Sequence, residues 1–378
     1  MDTLSQRRIQ RFFDQVVGTL PPGRSRCSVV VTHVLEDRPF FLAALDSIAP
    51  IKLLLPKPNS VHLDTRDILS NLYFIEVLQR QKFAKAEEVV GLFESIAPSC
   101  DIVLLDVGGY FAPTLCSVVE KYSGRIIAVI EDTENGVRRY ETQGNPPVPL
   151  YSVARSPLKK PEDFLVVQSI VFSAEALLRE QGDILNGRKA CVVGYGRLGR
   201  SIASVLHAKS VRTVIYDTDP VALVEAFSHG FEIARSVREG LDQADLVLCA
   251  TGNVALRAED YSHVNNGAYI ATVTSSDDEL DLTGIERFYQ TKKLGDRCTL
   301  YSTPGHYFYL LNEGNAVNFV HGAVVGPFIQ LVQAEILACV EHSCSEPHMH
   351  PGFVSLPNDT RRTIASRWME CFAHDRKP

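Results

Sequence analysis

The chain has 378 residues, of which 45% are hydrophobic and 22% are charged, and its formal net charge is −7. This composition excludes a disordered, collagen-like or disulfide-scaffold protein, and an acidic balance without a basic stripe argues against nucleic acid as a partner. No apolar run reaches the roughly 18 residues of a membrane span, and the N-terminus lacks the apolar segment of a secretory signal. Nine cysteines without Cys-x-x-Cys pairs are typical of reduced thiols. We therefore expect a cytoplasmic protein of about two domains.

Short apolar runs alternate with helical patterns along the first half of the chain. Strands are predicted at residues 28–32, 51–55, 102–105 and 126–130, with helices at residues 65–83 and 84–96. Continuous apolar runs of this kind fit strands that are buried on both faces of a parallel sheet. Ionisable side chains follow these strands: His33, Asp106 and the run Glu131-Asp132-Thr133. Because ligands bind beyond the carboxyl ends of the strands in open α/β sheets, these side chains predict a binding cleft.

A second α/β block follows a proline-rich break at residues 146–149 and a long amphipathic stretch at residues 162–181. Its strands are predicted at residues 189–193, 213–217, 246–250 and 269–273. An apolar helix is predicted at residues 327–341, and we expect the polar tail after it to pack on the surface. The pattern predicts an α/β protein with two open parallel-sheet domains.

The strongest motif is Gly194-Tyr195-Gly196-Arg197-Leu198-Gly199, which follows one predicted strand and opens a helical pattern. In this fingerprint the first glycine makes a tight turn, the second admits a pyrophosphate, and the third lets the helix pack on the strand. Asp217, at the end of the next strand, can bind a ribose diol, which favours NAD over NADP. The small residues Thr251-Gly252-Asn253 would let the nicotinamide half of the cofactor lie against the end of the preceding strand. The alternative is a glycine turn that binds no cofactor.

Four segments resemble the S-adenosylhomocysteine hydrolase family, in that family's order. They are Ile130-Glu131-Asp132-Thr133-Glu134-Asn135-Gly136-Val137, residues 186–199 together with Tyr216-Asp217-Thr218-Asp219-Pro220, Asp277-Asp278-Glu279-Leu280-Asp281, and Leu310-Leu311-Asn312-Glu313-Gly314-Asn315-Ala316-Val317-Asn318. The resemblance implies a Rossmann NAD-binding domain inserted into a discontinuous substrate domain. We place the substrate domain at residues 1–183 plus 327–378 and the NAD-binding domain at residues 184–326.

The resemblance also implies a reaction. In such an enzyme the 3′-hydroxyl of a nucleoside is oxidised by tightly held NAD, which acidifies the neighbouring C4′ proton. A base removes that proton, the 5′ substituent leaves, water adds, and the ketone is reduced again.

The resemblance assigns roles to individual residues. The implied catalytic residues are His33, Asp132, Lys159 and Asp163, with Asp163 as the partner of Lys159. The implied cofactor contacts are Thr133, Asn135, Gly194, Gly196, Arg197, Leu198, Gly199, Asp217, Thr251, Gly252, Asn253, Val273 and Asn318. Other interpretations stay open for three of them: His33 as a core histidine, Lys159 as a solvated loop lysine, and Asp132 as a helix cap.

Several family positions carry a different residue here. Val107 replaces an aspartate, Phe164 an asparagine, Gln168 a cysteine and Ser275 a histidine. A second site histidine is missing from the run Val325-Gly326-Pro327-Phe328, with His321 as a candidate replacement, and the family's C-terminal motif is not recognisable. We therefore expect a substrate altered from S-adenosylhomocysteine.

The predicted partners are a nucleoside or nucleoside thioether and further copies of the chain, as a dimer or tetramer. The alternative function is a catalytically silent regulatory relative that binds NAD and a nucleoside. The group Cys344, His348 and His350 lacks a fourth ligand, so no metal site is predicted.

Overall fold

In a computed structural model of the chain, the described residues are 3–17, 26–274, 278–322, 324–345 and 350–373. The chain divides into two compact units: Met1–Glu162 with Gly326–Pro378, and Asp163–Val325. A doubly wound domain inserted into a discontinuous α/β domain is therefore confirmed as the fold class. No helix within the described ranges is long and apolar enough to cross a membrane.

The first boundary between the units differs from our prediction. We placed it after residue 183, whereas residues 163–183 belong to the second unit. A long helix, Lys160–Glu180, covers most of this segment. Its apolar residues Val167, Ile170 and Leu177 are fully buried in the core of the second unit, so burial of this face sets the boundary.

A six-stranded parallel sheet forms the centre of the first unit. Its strands are β1 (Arg26–Val34), β2 (Ile51–Val61), β3 (Asp101–Asp106), β4 (Arg125–Glu131), β5 (Pro149–Ser152) and β14 (Gly352–Val354). Their order across the sheet is β14-β5-β4-β3-β1-β2. The β3 strand is buried along its whole length, as expected of a central parallel strand covered on both faces.

Helices cover this sheet. They are α1 (Thr3–Val16), α2 (Arg38–Ile48), α3 (Leu63–Ser70), α4 (Arg80–Phe83), α5 (Ala86–Ile96), α6 (Leu115–Lys121), α7 (Glu134–Thr142), α12 (Phe328–Ser345) and α13 (Asn358–Trp368). The single helix predicted at residues 65–83 is wrong, because the chain leaves α3 to pair with the edge of β2. The Leu54 amide donates to the Phe74 carbonyl, and the Glu76 amide donates to the Leu54 carbonyl.

The tail also differs from the prediction, since it joins the core. The β14 strand extends the sheet beside β5, and Ile364, Trp368 and Phe372 are buried in the core of the first unit. The Trp368 indole donates to the Pro327 carbonyl at 2.7 Å. The polarity of this tail reflects its outer face, while a few large apolar residues anchor it.

The second unit contains an eight-stranded sheet. Its strands are β6 (Lys189–Val193), β7 (Arg212–Tyr216), β8 (Glu232–Ile233), β9 (Leu246–Cys249), β10 (Tyr269–Thr272), β11 (Gln290–Lys293), β12 (Cys298–Thr303) and β13 (His306–Leu311). Their order is β11-β12-β13-β10-β9-β6-β7-β8, and β12 is antiparallel to both of its neighbours. The antiparallel strands were not predicted. The helices of this unit are α8 (Lys160–Glu180), α9 (Arg197–Ala208), α10 (Pro220–Ser228) and α11 (Val237–Leu241).

Candidate functional site

The glycine fingerprint lies between β6 and α9, and its geometry leaves room for a ligand. Gly194 has a φ of 99°, and a Cβ on it would lie 2.9 Å from the Ala250 carbonyl carbon. A Cβ on Gly199 would lie 1.9 Å from the Gly194 carbonyl oxygen. A Cβ on Gly196, by contrast, would meet no protein atom within 4 Å. The space at Gly196 is therefore open, at the N-terminus of a helix whose backbone amides attract anions.

Asp217 follows β7 and holds the fingerprint loop. Its Oδ2 atom accepts a hydrogen bond from the Tyr195 amide at 2.6 Å, and its Oδ1 atom accepts one from the Asp219 amide at 2.8 Å. Leu198 packs against the core of the second unit. The carboxylate is thus fixed beside the loop that precedes α9, where the fingerprint places the ribose-binding acid.

The loop after β9 is held by a carboxyl that sequence reasoning did not select. Glu279 is 2% exposed, and its Oε1 atom accepts hydrogen bonds from the Thr251 amide at 2.6 Å and the Gly252 amide at 3.1 Å. The Thr251 hydroxyl donates to the Asn253 carbonyl. Glu279 belongs to the acidic run at residues 277–281, but only folding brings it to this loop. Val273 is buried and donates its amide to the Cys249 carbonyl.

Asn318 provides a buried polar atom that suits a ligand. It is 7% exposed, and its Oδ1 atom has no hydrogen-bond partner. A buried amide oxygen without a donor costs about 1–3 kcal/mol, and a bound carboxamide would remove that cost. The candidate histidine His321 is 2.9 Å from the Ser173 hydroxyl through Nδ1, so it has a local partner in the second unit.

His33 lies in β1 of the first unit. Its Nδ1 atom is 2.6 Å from the Ser60 hydroxyl of β2. Burial, followed by the positive charges of Lys57, Arg38 and Lys159, holds the pKa of His33 well below its usual 6.5. The imidazole is therefore neutral at physiological pH, and a neutral imidazole offers one nitrogen that accepts a proton.

Two buried carboxyls organise the ends of β3 and β4. Glu131 is fully buried and accepts hydrogen bonds from the amides of Gly108, Gly109 and Thr133. Asp106 accepts from two further amides and from the Tyr140 hydroxyl at 2.6 Å. Burial raises the pKa of Glu131 well above its usual value, and the Asp106 charge adds to this. These carboxyls hold the loops that follow β3 and β4.

Three of the predicted residues follow β4. Thr133 caps α7 by accepting from the Gly136 amide, and its hydroxyl donates to Glu131 at 2.7 Å. The interpretation of Asp132 as the helix cap is therefore wrong. Asp132 instead has a buried Oδ1 atom without a hydrogen-bond partner. Asn135 lies in the first turn of α7, half-buried.

The predicted pairing of Lys159 with Asp163 is not observed, because each of the two residues contacts a different side chain. The Lys159 ammonium lies 3.1 Å from Glu162 Oε2, with the two side chains 13% and 10% exposed. Asp163 accepts a hydrogen bond from the Arg197 guanidinium at 2.7 Å, within the second unit. Lys159 is largely enclosed, which disfavours its interpretation as a solvated loop lysine.

The positions at which the chain departs from the family are also visible. Val107 is 2% exposed, whereas Phe164 is 61% exposed. Ser275, Asp277 and His348 lie outside the described residues. Among the residues that are described, no three His, Cys, Asp or Glu side chains are grouped to hold a metal ion.

Comparison with known proteins identifies the second unit. Residues 166–324 match the family model of the S-adenosyl-L-homocysteine hydrolase NAD binding domain. An S-inosyl-L-homocysteine hydrolase from Methanopyrus kandleri is 27% identical over 65% of this chain and 60% of its own length. Adenosylhomocysteinases from Saccharolobus solfataricus and Thermotoga maritima are 28% and 30% identical, over 56% and 58% of this chain and 51% and 55% of their own lengths.

The second unit is therefore similar to the NAD binding domain of the S-adenosylhomocysteine hydrolase family. It spans between 51% and 60% of the length of these curated relatives. NAD is the cofactor of the matched domain, and the second unit fits it. The open cradle at Gly196 suits the pyrophosphate, Asp217 suits the ribose diol, and the orphaned Asn318 oxygen suits a carboxamide donor.

Glu279 predicts a pH dependence of stability in this unit. Burial raises its pKa from the ordinary 4.5 to about 7, so the folded chain keeps a proton that the unfolded chain releases in this range. The group therefore stabilises the fold fully below about pH 4.5, and that contribution is lost as the pH rises through about 7. At 1.36 kcal/mol per pKa unit, the loss is about 3 kcal/mol.

Hydrogen exchange of the β9 and β10 amides in wild type and Glu279→Gln, from about pH 5 to about pH 8, measures this difference after correction for intrinsic exchange rates. The local stability of wild type should fall relative to the variant as the pH rises. If the local stabilities of wild type and Glu279→Gln changed in parallel with pH, the raised pKa of Glu279 would be contradicted.

Proposed function

We propose that the chain oxidises the 3′-hydroxyl of a nucleoside bound by its first unit, with NAD bound by its second. This enables C4′ proton abstraction and elimination and addition at C5′. We propose a substrate other than S-adenosylhomocysteine, because Val107 and Phe164 remove polar groups that the family resemblance places in the substrate site. One observation carries the proposal: the first unit encloses a neutral His33 and a nearly buried Lys159–Glu162 pair. A protein that only binds NAD has no need of such groups.

NAD, when bound, supplies the hydride acceptor. The residues of the chain supply position and proton transfer. Lys159, held by Glu162 at 3.1 Å, can exchange a proton with a hydroxyl. The unpaired Oδ1 atom of Asp132 can accept a hydrogen bond from a second hydroxyl. His33 is neutral and offers one ring nitrogen as an acceptor, and the nearby cations make it a weak base. Together they provide the acid, the base and the orienting acceptor that the reaction needs.

Addition of adenosine or S-adenosylhomocysteine to the purified protein, with NADH-like absorbance as the signal, tests this proposal. Lys159→Ala should lower the rate of NAD reduction by about 100- to 10,000-fold, the range of one general acid or base. Lys160→Ala is the matched control: the neighbouring lysine is exposed, and its loss should leave the rate unchanged.

Two outcomes would contradict the proposal in different ways. If NAD is bound but no nucleoside reduces it, the chain is a silent binder of the kind we considered as the alternative. If Lys159→Ala and Lys160→Ala reduce NAD at equal rates, Lys159 has no part in the proton transfer.

A further inference from the structure

The carboxyl edge of the sheet in the first unit contains an irregularity opposite His33. Thr32 of β1 pairs with Pro56 of β2, and Val34 pairs with Val61. A step of two residues in β1 thus faces a step of five in β2. Pro56 and Pro58 lack the amide that a regular ladder needs, which explains the bulge. The bulge brings the Ser60 hydroxyl to His33 at 2.6 Å.

The same bulge carries a buried lysine. Lys57 is 3% exposed. Its ammonium nitrogen would be 3.2 Å from a Cβ built on Gly108, the second residue after β3. The Arg80 guanidinium carbon lies 4.0 Å above the ring of Tyr110, and one of its nitrogens is 3.5 Å from the Gly108 carbonyl oxygen. Two cations from separate elements therefore converge on the end of β3.

A third cation begins α2. Arg38 is 6% exposed, and its Nε atom has no hydrogen-bond partner. The Asp37 carboxylate lies 3.7 Å from another nitrogen of the guanidinium and also accepts a hydrogen bond from Gln330. An unmet guanidinium donor that is nine-tenths buried is costly unless an acceptor reaches it.

Two of these cations lie at the carboxyl end of β1, near His33. Lys57 lies in the bulge of β2 that faces residues 32–34 of β1, and Arg38 begins α2 four residues after β1 ends. The charges of Lys57, Arg38 and Lys159 each lower the pKa of His33. The Lys159 ammonium lies 3.1 Å from Glu162 Oε2. Val107, beside Gly108, is buried and apolar, at the position where the family resemblance places an aspartate. Val107 therefore adds no charge beside the buried carboxyls Asp106 and Glu131 of the same edge.

We propose that the first unit binds a nucleoside that carries an oxyanion, a phosphate or a carboxylate, and that Arg38 and Lys57 bind this group beside His33. The inference rests on the proposed function in one respect, namely that the first unit binds a nucleoside. Guanidinium and ammonium donors form charge-assisted hydrogen bonds with either oxyanion. The buried position excludes much of the water and salt that would weaken them.

Two matched ligand pairs test the proposal by calorimetric titration of the full chain. Adenosine and adenosine 5′-monophosphate differ by a 5′-phosphate, and uridine and orotidine differ by a carboxylate on the base. The anionic member of at least one pair should bind at least tenfold more tightly. Preference within the first pair assigns the anion to the 5′ position, and preference within the second assigns it to the base.

Arg38→Met and Lys57→Met should each reduce that preference at least tenfold, while retaining apolar bulk at the site. Lys52→Met is the matched control, because Lys52 is an exposed lysine of the same strand, and it should leave the preference unchanged. Far-ultraviolet circular dichroism establishes that each variant is folded, and either of the two Met variants is sufficient for the test.

Equal binding within both pairs, no binding of any of the four ligands, or a preference that survives in both Met variants would overturn the proposal. These outcomes are separate from those for the proposed function. Tight binding of an anionic nucleoside without NAD reduction would uphold the anion site and contradict the enzyme. NAD reduction with equal binding of neutral and anionic nucleosides would uphold the enzyme and contradict the anion site.

Discussion

Gly199→Ala is expected to abolish NAD binding and to destabilise the second unit. The added methyl carbon would lie 1.9 Å from the carbonyl oxygen of Gly194, which belongs to the backbone and cannot rotate away. Either α9 moves away from β6 or the fingerprint loop unfolds. Overpacking of this kind costs about 1–3 kcal/mol and occasionally more, and both consequences displace the helix N-terminus that receives the phosphates.

Gly196→Ala separates cofactor binding from folding. A Cβ at this position meets no protein atom within 4 Å, so the variant should fold as wild type does. It should nevertheless bind NAD at least a hundredfold more weakly, because the methyl group occupies the space that a pyrophosphate needs. Titration of NAD-stripped protein, together with thermal unfolding, measures the two effects independently.

Gly91→Ala is the control for both glycine variants. Gly91 lies in α5 of the first unit, where a Cβ would also meet nothing within 4 Å. It should leave NAD affinity unchanged and raise stability slightly, by about 0.5–1 kcal/mol. Normal NAD binding by Gly196→Ala would show that the open space at Gly196 does not hold the pyrophosphate.

The features that could be predicted from the sequence are those encoded by short, continuous patterns. The strands β3 and β9 are buried on both faces. A strand buried in this way consists of consecutive β-branched residues and leucines, which the sequence shows directly. The fingerprint glycines are equally local, because each is required by a contact within a few residues or with one neighbouring strand. Such signals survive in a divergent chain.

The features that could not be predicted depend on contacts between distant segments. Glu279 is 28 residues from Thr251, and the partner of Asp163 is 34 residues away, so neither spacing reveals the pair. The bulge at Lys57 interrupts a strand that the pattern ends at Leu55. A proline-containing, polar stretch normally indicates a loop, and only pairing with β1 shows that β2 continues through Val61.

Glu131→Gln should lower the free energy of unfolding of the first unit by about 3 kcal/mol. The carboxyl accepts hydrogen bonds from the amides of Gly108, Gly109 and Thr133, and from the Thr133 hydroxyl. The amide nitrogen of Gln has two N–H donors and no acceptor, whereas the hydroxyl of a protonated carboxyl has one donor and can still accept, so an additional donor faces a backbone amide in a buried site. Each donor left unsatisfied costs about 1–3 kcal/mol.

The pH dependence of this variant tests the same arrangement. Because the pKa of Glu131 is raised well above its usual value, its stabilising contribution is present at acid pH and is lost as the pH rises through the folded pKa. The difference in the free energy of unfolding between wild type and Glu131→Gln should therefore become smaller as the pH rises.

The fluorescence of Trp368 measures this difference. Trp368 is the single tryptophan of the chain and is buried in the first unit, so its fluorescence during denaturation follows this unit. Glu120→Gln, on the exposed face of α6, should unfold as wild type at every pH. Equal stability of Glu131→Gln and wild type would mean that the two strand-end loops do not depend on this carboxyl.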